Sequence, residues 1–375
     1  MPAERHLHII AFDVPYPADY GGVIDIYHKI RALQQAGVRV HLHAFTYGRQ
    51  PAAELDDLCA SVRYYPRRTN KTLLFHTFPY IVLSRQSDQL LADLQQDEYP
   101  ILFEGLHTTW LLNEPALAPR RRVVRMHNIE HDYYRHLALV ERNPFKRWYF
   151  NAEAEKLKSY EAVLARAHAI AAIAPADAQE LSTRYARVDC VPAFHPHDEV
   201  AALPGRGDFA LYHGNLSIGE NNRAAVWLAE EVFANPGLQL VIAGSRPSAE
   251  LKKIINDKPH IRLVADPDPA TIYRLVREAQ VNVLPTFQST GIKLKLLAAL
   301  FTGRHCLVNT PMVSGTGLEQ LCVIKDDPDD FRNAVAGLLQ QDYAATQQEL
   351  RKSVLDRDFS NRKNAGKLAG MIFMD

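Results

Sequence analysis

The sequence predicts an α/β chain built as two doubly wound units, each a parallel sheet covered by helices. Three observations predict it. Short β-rich runs alternate with longer helical patterns, a rhythm that implies parallel strands joined by helical crossovers. The rhythm breaks once, over residues 191–207 (VPAFHPHDEVAALPGRG), where prolines, histidines and glycines crowd, and then restarts. The length of 375 residues suits two domains.

Leu7–Phe12 (LHIIAF) reads as the first strand. Gly22–Gln35 reads as a helix with Ile26, Ile30 and Leu33 on one face, and Val38–Phe45 as the next strand. Ile101–Glu104, Arg122–Met126 and His168–Ile173 are further strands. After the break come Phe209–His213, Leu238–Ala243, Ile261–Val264, Val281–Leu284 and Cys306–Val308, separated by helices. Residues 329–373 are helical in pattern. The expected boundaries are 1–195, 196–355 and a terminal helix over 356–375.

Composition excludes several function classes. Lys+Arg and Asp+Glu both number 43, so the chain lacks the basic excess of a nucleic-acid binder. Cys59, Cys190, Cys306 and Cys322 are widely spaced, which argues against a zinc module or a disulfide scaffold and suits a reducing compartment. The apolar start lacks the cleavage region of a signal peptide, and no stretch approaches the ~18 apolar residues of a membrane span. The expectation is a cytoplasmic protein, with peripheral contact at the inner face of the membrane as the alternative.

Ligands on doubly wound sheets bind beyond the carboxyl ends of the strands, so those residues are the candidates. Gly21 and Gly22 open a helix after the first strand and let a backbone approach a ligand closely. They do not form the GxGxxG dinucleotide fingerprint. Glu104 ends one strand, and His127 follows another, so both are placed for contact with substrate. A metal site is not expected, because His127 precedes its helix instead of sharing one with His131. In the second unit Gly214 and Asn215 follow a strand, and Arg246 follows the next. Thr290, Gly291, Ile292, Lys293 and Lys295 enter a helix. Free N–H groups at that entry, with two lysines, suit a diphosphate. Asp266-Pro267-Asp268 matches DxD but reads as a loop and helix cap.

These residues together resemble GT-B glycosyltransferases of the family 4 type, which use nucleotide-activated sugars. The stretches that carry the resemblance are Pro15–Gly22, His127–Tyr134, Gly214–Asn222, Val241–Gly244 and Gly291–Gly303. The resemblance implies two Rossmann-like domains facing a central cleft. The first would bind the acceptor and the second the nucleotide sugar, with a last helix crossing back to the first. It implies no divalent metal and no cofactor, and a UDP-, GDP- or dTDP-linked sugar as co-substrate. Gly21 and Gly22 would lie near the donor phosphates, His127 near the transferred sugar and Asp266 near the base. Gly214 and residues 291–295 would face the nucleotide. Two departures stand out. The family's paired glutamates would fall on Thr290 and Ala298, and its basic residue in the first donor-domain loop gives way to Glu220, Asn221 and Asn222. Arg246, Lys293 or Lys295 would then supply the positive charge.

The resemblance implies transfer of a hexose with retention, by front-face substitution without an obligatory protein base. The acceptor would be a glycan or a lipid-linked sugar in polysaccharide assembly. The rival reading is a catalytically weak subunit that binds a glycan or a partner. Arg67, Arg68 and Lys71 precede the apolar run Leu73–Leu83, which reads first as a packed helix and second as a segment lying on an anionic bilayer.

Overall fold

A computed structural model describes residues 4–141, 143–287 and 293–373. The chain divides into two compact units: residues 1–196 with 358–375, and residues 197–357.

The first unit contains β1 (Arg5–Ala11), β2 (Val38–Thr46), β3 (Ser61–Pro66), β4 (Ile101–Glu104), β5 (Arg122–Met126), β6 (Ala169–Ala172) and β7 (Val188–Cys190). All pair in parallel, in the order β3-β2-β1-β4-β5-β6-β7. Its helices are α1 (Gly21–Gln35), α2 (Tyr80–Leu83), α3 (Asp88–Leu94), α4 (Glu130–Val140), α5 (Pro144–Tyr160) and α6 (Pro175–Ser182). The period of two along β1 sends its side chains to both faces. Leu7, Ile9 and Ala11 join Ile26, Ile30 and Leu33 of α1, while Ile10 joins Phe45, Phe103 and Val124 on the other side. A sheet buried on both faces explains the near-continuous apolar runs by which the strands are legible.

The second unit contains β8 (Ala210–His213), β9 (Leu240–Gly244), β10 (Ile261–Ala265), β11 (Val281–Leu284), β12 (His305–Val308) and β13 (Val323–Ile324), parallel in the order β10-β9-β8-β11-β12-β13. Its helices are α7 (Gly219–Trp227), α8 (Ala249–Asn256), α9 (Pro269–Glu278), α10 (Leu294–Thr302), α11 (Thr310–Val313), α12 (Pro328–Leu339) and α13 (Ala345–Asp358). The chain then returns to the first unit as α14 (Asn361–Phe373), whose Leu368 and Ile372 enter the core beside α1.

Three strands escape the sequence reading: β3, β7 and β13. β3 interleaves Arg63 with two tyrosines at a sheet edge, and the other two are very short. Residues 191–207 are not a loose linker either. Val191, Ala193, Phe194 and His195 are buried in the first unit, and His195 Nε2 lies 2.8 Å from the Phe359 carbonyl. Within Leu73–Leu83, Ile81, Val82 and Leu83 are buried, so that part is packed helix, whereas Phe75 and Phe78 are exposed.

Candidate active site

In each sheet the strand order reverses beside the first strand of the unit, and ligands favour that position at the carboxyl ends. In the first unit the reversal lies between β1 and β4. Phe12 follows β1, Glu104 and His107 close β4, and His127 follows β5. A Cβ on Gly22 would stand 2.5 Å from the Phe12 ring, so glycine there is a packing requirement. The Phe12 ring lies between two imidazoles, with centroids 5.1 Å from His107 and 5.3 Å from His127. Tyr20, just before α1, donates to Asp13 Oδ2 at 2.7 Å, and Arg49 reaches Asp19 at 2.8 Å. Tyr16, Pro17, Asp19 and Arg49 line an open hollow of about 490 Å³ beside this loop.

Beneath His127 lies a buried set of charges. His127 Nε2 is 2.9 Å from Glu104 Oε2. Lys29 Nζ is 2.7 Å from Glu104 Oε1 and 2.9 Å from Asp25 Oδ2. Arg125 Nη2 donates to Asp25 Oδ1 at 2.9 Å, and the Phe194 backbone N–H donates to the same oxygen at 2.8 Å. Asp25, Lys29, Glu104 and Arg125 are all essentially inaccessible. Burial alone would raise both carboxyls. Arg125 and Lys29 outweigh it at Asp25, and Lys29 with the His127 hydrogen bond outweighs it at Glu104, so both are held below the usual range. Two anions and two cations balance. Glu104, as an anion, can only accept, so His127 Nε2 carries the proton of that hydrogen bond.

Asp25, Glu104 and His127 are also grouped closely enough to hold a metal ion, each offering a ligand atom within 4.8 Å of the others. The Lys29 ammonium stands between both carboxylates and supplies the positive charge a metal would bring. A second group lies nearby. His107 Nδ1 is buried without a hydrogen-bond partner and 3.8 Å from Glu130 Oε1, whose carboxyl burial pushes up to about 8.

In the second unit the reversal lies between β8 and β11. Gly244, ending β9, packs so closely that a Cβ would stand 2.0 Å from the Gly214 carbonyl. Asn215 turns its side chain back, Oδ1 accepting from Ser217 N at 3.1 Å and Ser217 Oγ at 2.7 Å. Lys295 donates to Asn221 Oδ1 at 3.0 Å and stands 5.1 Å from the Tyr212 ring centroid. Burial lowers its ammonium to about 8 against the raising influence of Glu220. Lys293, the residue preceding α10, lies 4.0 Å from Glu220, which also accepts from Thr286 Oγ1. His213 Nε2 is buried without a hydrogen-bond partner, and burial followed by Lys295 pushes its imidazole down to about 3.

Arg246 is exposed, with φ +50, and Asp266 has φ +49; Asp266 Oδ1 accepts the Arg246 backbone N–H at 2.7 Å. Two non-glycine residues in the left-handed region cost of order 1–3 kcal/mol each, a strain that concentrates in functional loops. Asp268 caps α9 by accepting from Thr271 N at 2.7 Å. Thr290, Gly291 and Ile292 lie outside the described residues.

Thus Glu104 joins His127, and Lys293 and Lys295 gather at the first turn of α7. Gly21 stands one residue from the packed Gly22, with open space where a Cβ would project. Asp25, Lys29, Arg125 and His213 are not foreseen from the sequence. Only the i, i+4 spacing of Asp25 and Lys29 offered a signal, and on a helix such a pair reads as solvated.

The fold, two parallel sheets each covered by helices, is that of GT-B glycosyltransferases. Residues 208–341, most of the second unit, match the model of the family described as glycosyl transferases group 1. The chain is 25% identical over 341 residues to an uncharacterized 44.6 kDa protein in the cps region of Klebsiella pneumoniae, covering 85% of this chain and 87% of that one. Among solved structures it resembles sucrose-phosphate synthase of Thermosynechococcus elongatus, with TM-score 0.71, 17% identity and 98% of each chain covered. It also resembles S. aureus TarM, in a complex with fondaparinux, alpha-GlcNAc-glycerol and UDP. There the TM-score is 0.65 and the identity 8%, over 98% of this chain and 100% of that one.

Proposed function

We propose that the protein transfers a hexose from a nucleoside-diphosphate sugar to a glycan or lipid-linked acceptor during polysaccharide assembly. The first unit would serve the acceptor and the second the donor. The observation that carries this reading is the convergence of Lys293 and Lys295 on Glu220 and Asn221 in the first turn of α7, inside the stretch the family model matches. Breaking the anomeric C–O bond leaves negative charge on the departing diphosphate, and fixed cations in a water-poor setting stabilise it. Lys295, held by Asn221 and the Tyr212 ring, is such a cation. Its Nζ has three donors, of which Asn221 takes one.

His127 has a different task. Its Nδ1 lone pair accepts a hydrogen bond from a sugar hydroxyl, and the Glu104 carboxylate behind Nε2 strengthens that contact as positive charge develops on the sugar. The retained anomer is the expected product. A resident metal has no role in this reading, and UDP-, GDP- and dTDP-linked sugars are the donors to test. Product analysis after incubation with each sugar and a glycan or lipid-linked acceptor tests the reading. Transfer supports it, and the absence of any transfer argues for the rival.

That rival is a catalytically weak subunit that binds a glycan or a partner. The observation favouring it is that Glu220 and Asn221 already engage the two lysines. Nucleotide and glycan binding without turnover would establish it.

A further inference from the structure

The first unit carries an apolar surface that the site does not use. Leu139 (79% exposed), Val140 (46%), Phe145 (84%) and Trp148 (66%) are four of the twelve large hydrophobic side chains exposed among the described residues, and they fall within one short stretch. They occupy the end of α4 and the first turns of α5, the tip of a helical hairpin. The hairpin is fastened behind the tip. Arg135 Nη2 reaches Glu155 Oε1 at 2.9 Å, and the Tyr134 and Phe150 rings meet at 5.9 Å. The turn is also built. Asn143 Oδ1 accepts from Phe145 N at 3.0 Å and Lys146 N at 3.2 Å, Pro144 opens α5, and Arg147 Nε and Nη2 donate to the Glu141 carbonyl at 3.2 and 3.1 Å. A capped, stapled turn that holds a phenylalanine and a tryptophan outward is an organised surface. Phe145 and Trp148, three apart, share one helix face, and Lys146 and Arg147 stand exposed between them.

We propose that this hairpin tip docks the protein on an anionic lipid surface. Aromatic and aliphatic side chains flanked by lysine and arginine are the composition that seats a helix at the headgroup boundary, the rings entering and the cations meeting lipid phosphates. A second copy of this chain is a poorer occupant. A two-fold contact through this patch would bring the Lys146 and Arg147 charges of both copies into one interface. No helix among the described residues is long and apolar enough to cross a membrane, so the contact is peripheral. The inference deepens the reading of a lipid-linked acceptor, which such docking would bring within reach, but its test reads binding and not transfer.

The test is flotation of the full-length protein with vesicles of phosphatidylglycerol and phosphatidylcholine, against phosphatidylcholine alone. Binding to the anionic vesicles at low salt, weakened by added salt, is expected. Phe145→Ser with Trp148→Ser should lower vesicle partition by about tenfold or more with an unchanged melting temperature, and Lys146→Glu should weaken binding to the anionic vesicles only. Phe75→Ser should leave binding in place. Wild-type protein that fails to float, partition unchanged in the double variant, or loss through Phe75→Ser instead would overturn the proposal. A concentration-dependent dimer, seen without vesicles and abolished by the double variant, would assign the surface to a second copy and overturn it as well.

Discussion

Lys29 is buried between two carboxylates, and Glu104 connects it to His127, the imidazole proposed to meet a sugar. Removing the ammonium leaves Asp25 and Glu104 with Arg125 as their remaining cation in the interior. Breaking one member of a buried ion network costs about 3–5 kcal/mol. Lys29→Met should therefore lower the melting temperature sharply, and pairing it with Glu104→Gln should recover part of the loss. A melting temperature equal to the wild type's would show that the network contributes nothing. His127→Ala should behave differently. Turnover falls roughly ten- to a thousandfold while nucleotide affinity stays nearly intact. A variant that melts early yet turns over normally would remove His127 from the chemistry. On the donor side, Lys293→Ala or Lys295→Ala should weaken nucleoside-diphosphate binding by roughly ten- to a hundredfold, the loss of a charged hydrogen bond. Calorimetry reads it directly, and unchanged affinity in both variants would withdraw the assignment.

At the scale of elements, three neighbouring strands share a polar ladder. His8 Nδ1 on β1 meets His43 Nε2 on β2 at 2.8 Å, His43 Nδ1 meets the Tyr65 hydroxyl on β3 at 2.8 Å, and Tyr65 donates to Asp93 Oδ2 at 2.6 Å. Burial, against the raising influence of Asp97, pushes His8 down to about 4; burial, helped by His8, pushes His43 down to about 3. The unfolded chain takes up these protons near pH 6.5 and the folded chain does not. Below that pH the unfolded state binds more protons, so stability is full above about 6.5 and falls as the pH drops toward 4. Thermal melts across that window should show the fall, and His8→Gln with His43→Gln should flatten it. An equal slope in both proteins would contradict the ladder's role. Packing between elements gives another expectation. Gly244→Ala places a methyl against the Gly214 carbonyl and should cost about 1–3 kcal/mol, with weaker nucleotide binding because the β8 loop must shift.

The same scale shows what was legible. Ile101–Glu104, Arg122–Met126 and Val281–Leu284 fall where the apolar runs predict them, because strands buried on both faces leave a continuous signal. β3 escaped because its edge position admits Arg63 and tyrosines. In the site, His127 and Glu104 stood out because each ends a readable strand. Asp25, Lys29 and Arg125 did not, since Lys29 and Glu104 lie 75 residues apart and Asp25 and Arg125 lie 100 apart. A local pattern cannot tell a buried ion pair from a solvated one. Lys295 was visible as a cation but not as a buried one, because its burial depends on Tyr212 and Asn221, far away in the chain.

At the scale of the molecule, the two units have different duties in the proposed reaction, with phosphate charge met in the second and a sugar hydroxyl in the first. The measurement that tests this most directly is steady-state kinetics with the preferred nucleotide sugar, joined to nucleotide affinity, for wild type, His127→Ala and Lys295→Ala. The expected result is transfer by the wild type, His127→Ala with low kcat and near-normal nucleotide Kd, and Lys295→Ala with weakened Kd. A wild-type protein that binds nucleotide sugars but transfers none, or two variants that lose affinity and turnover in the same proportion, would contradict it.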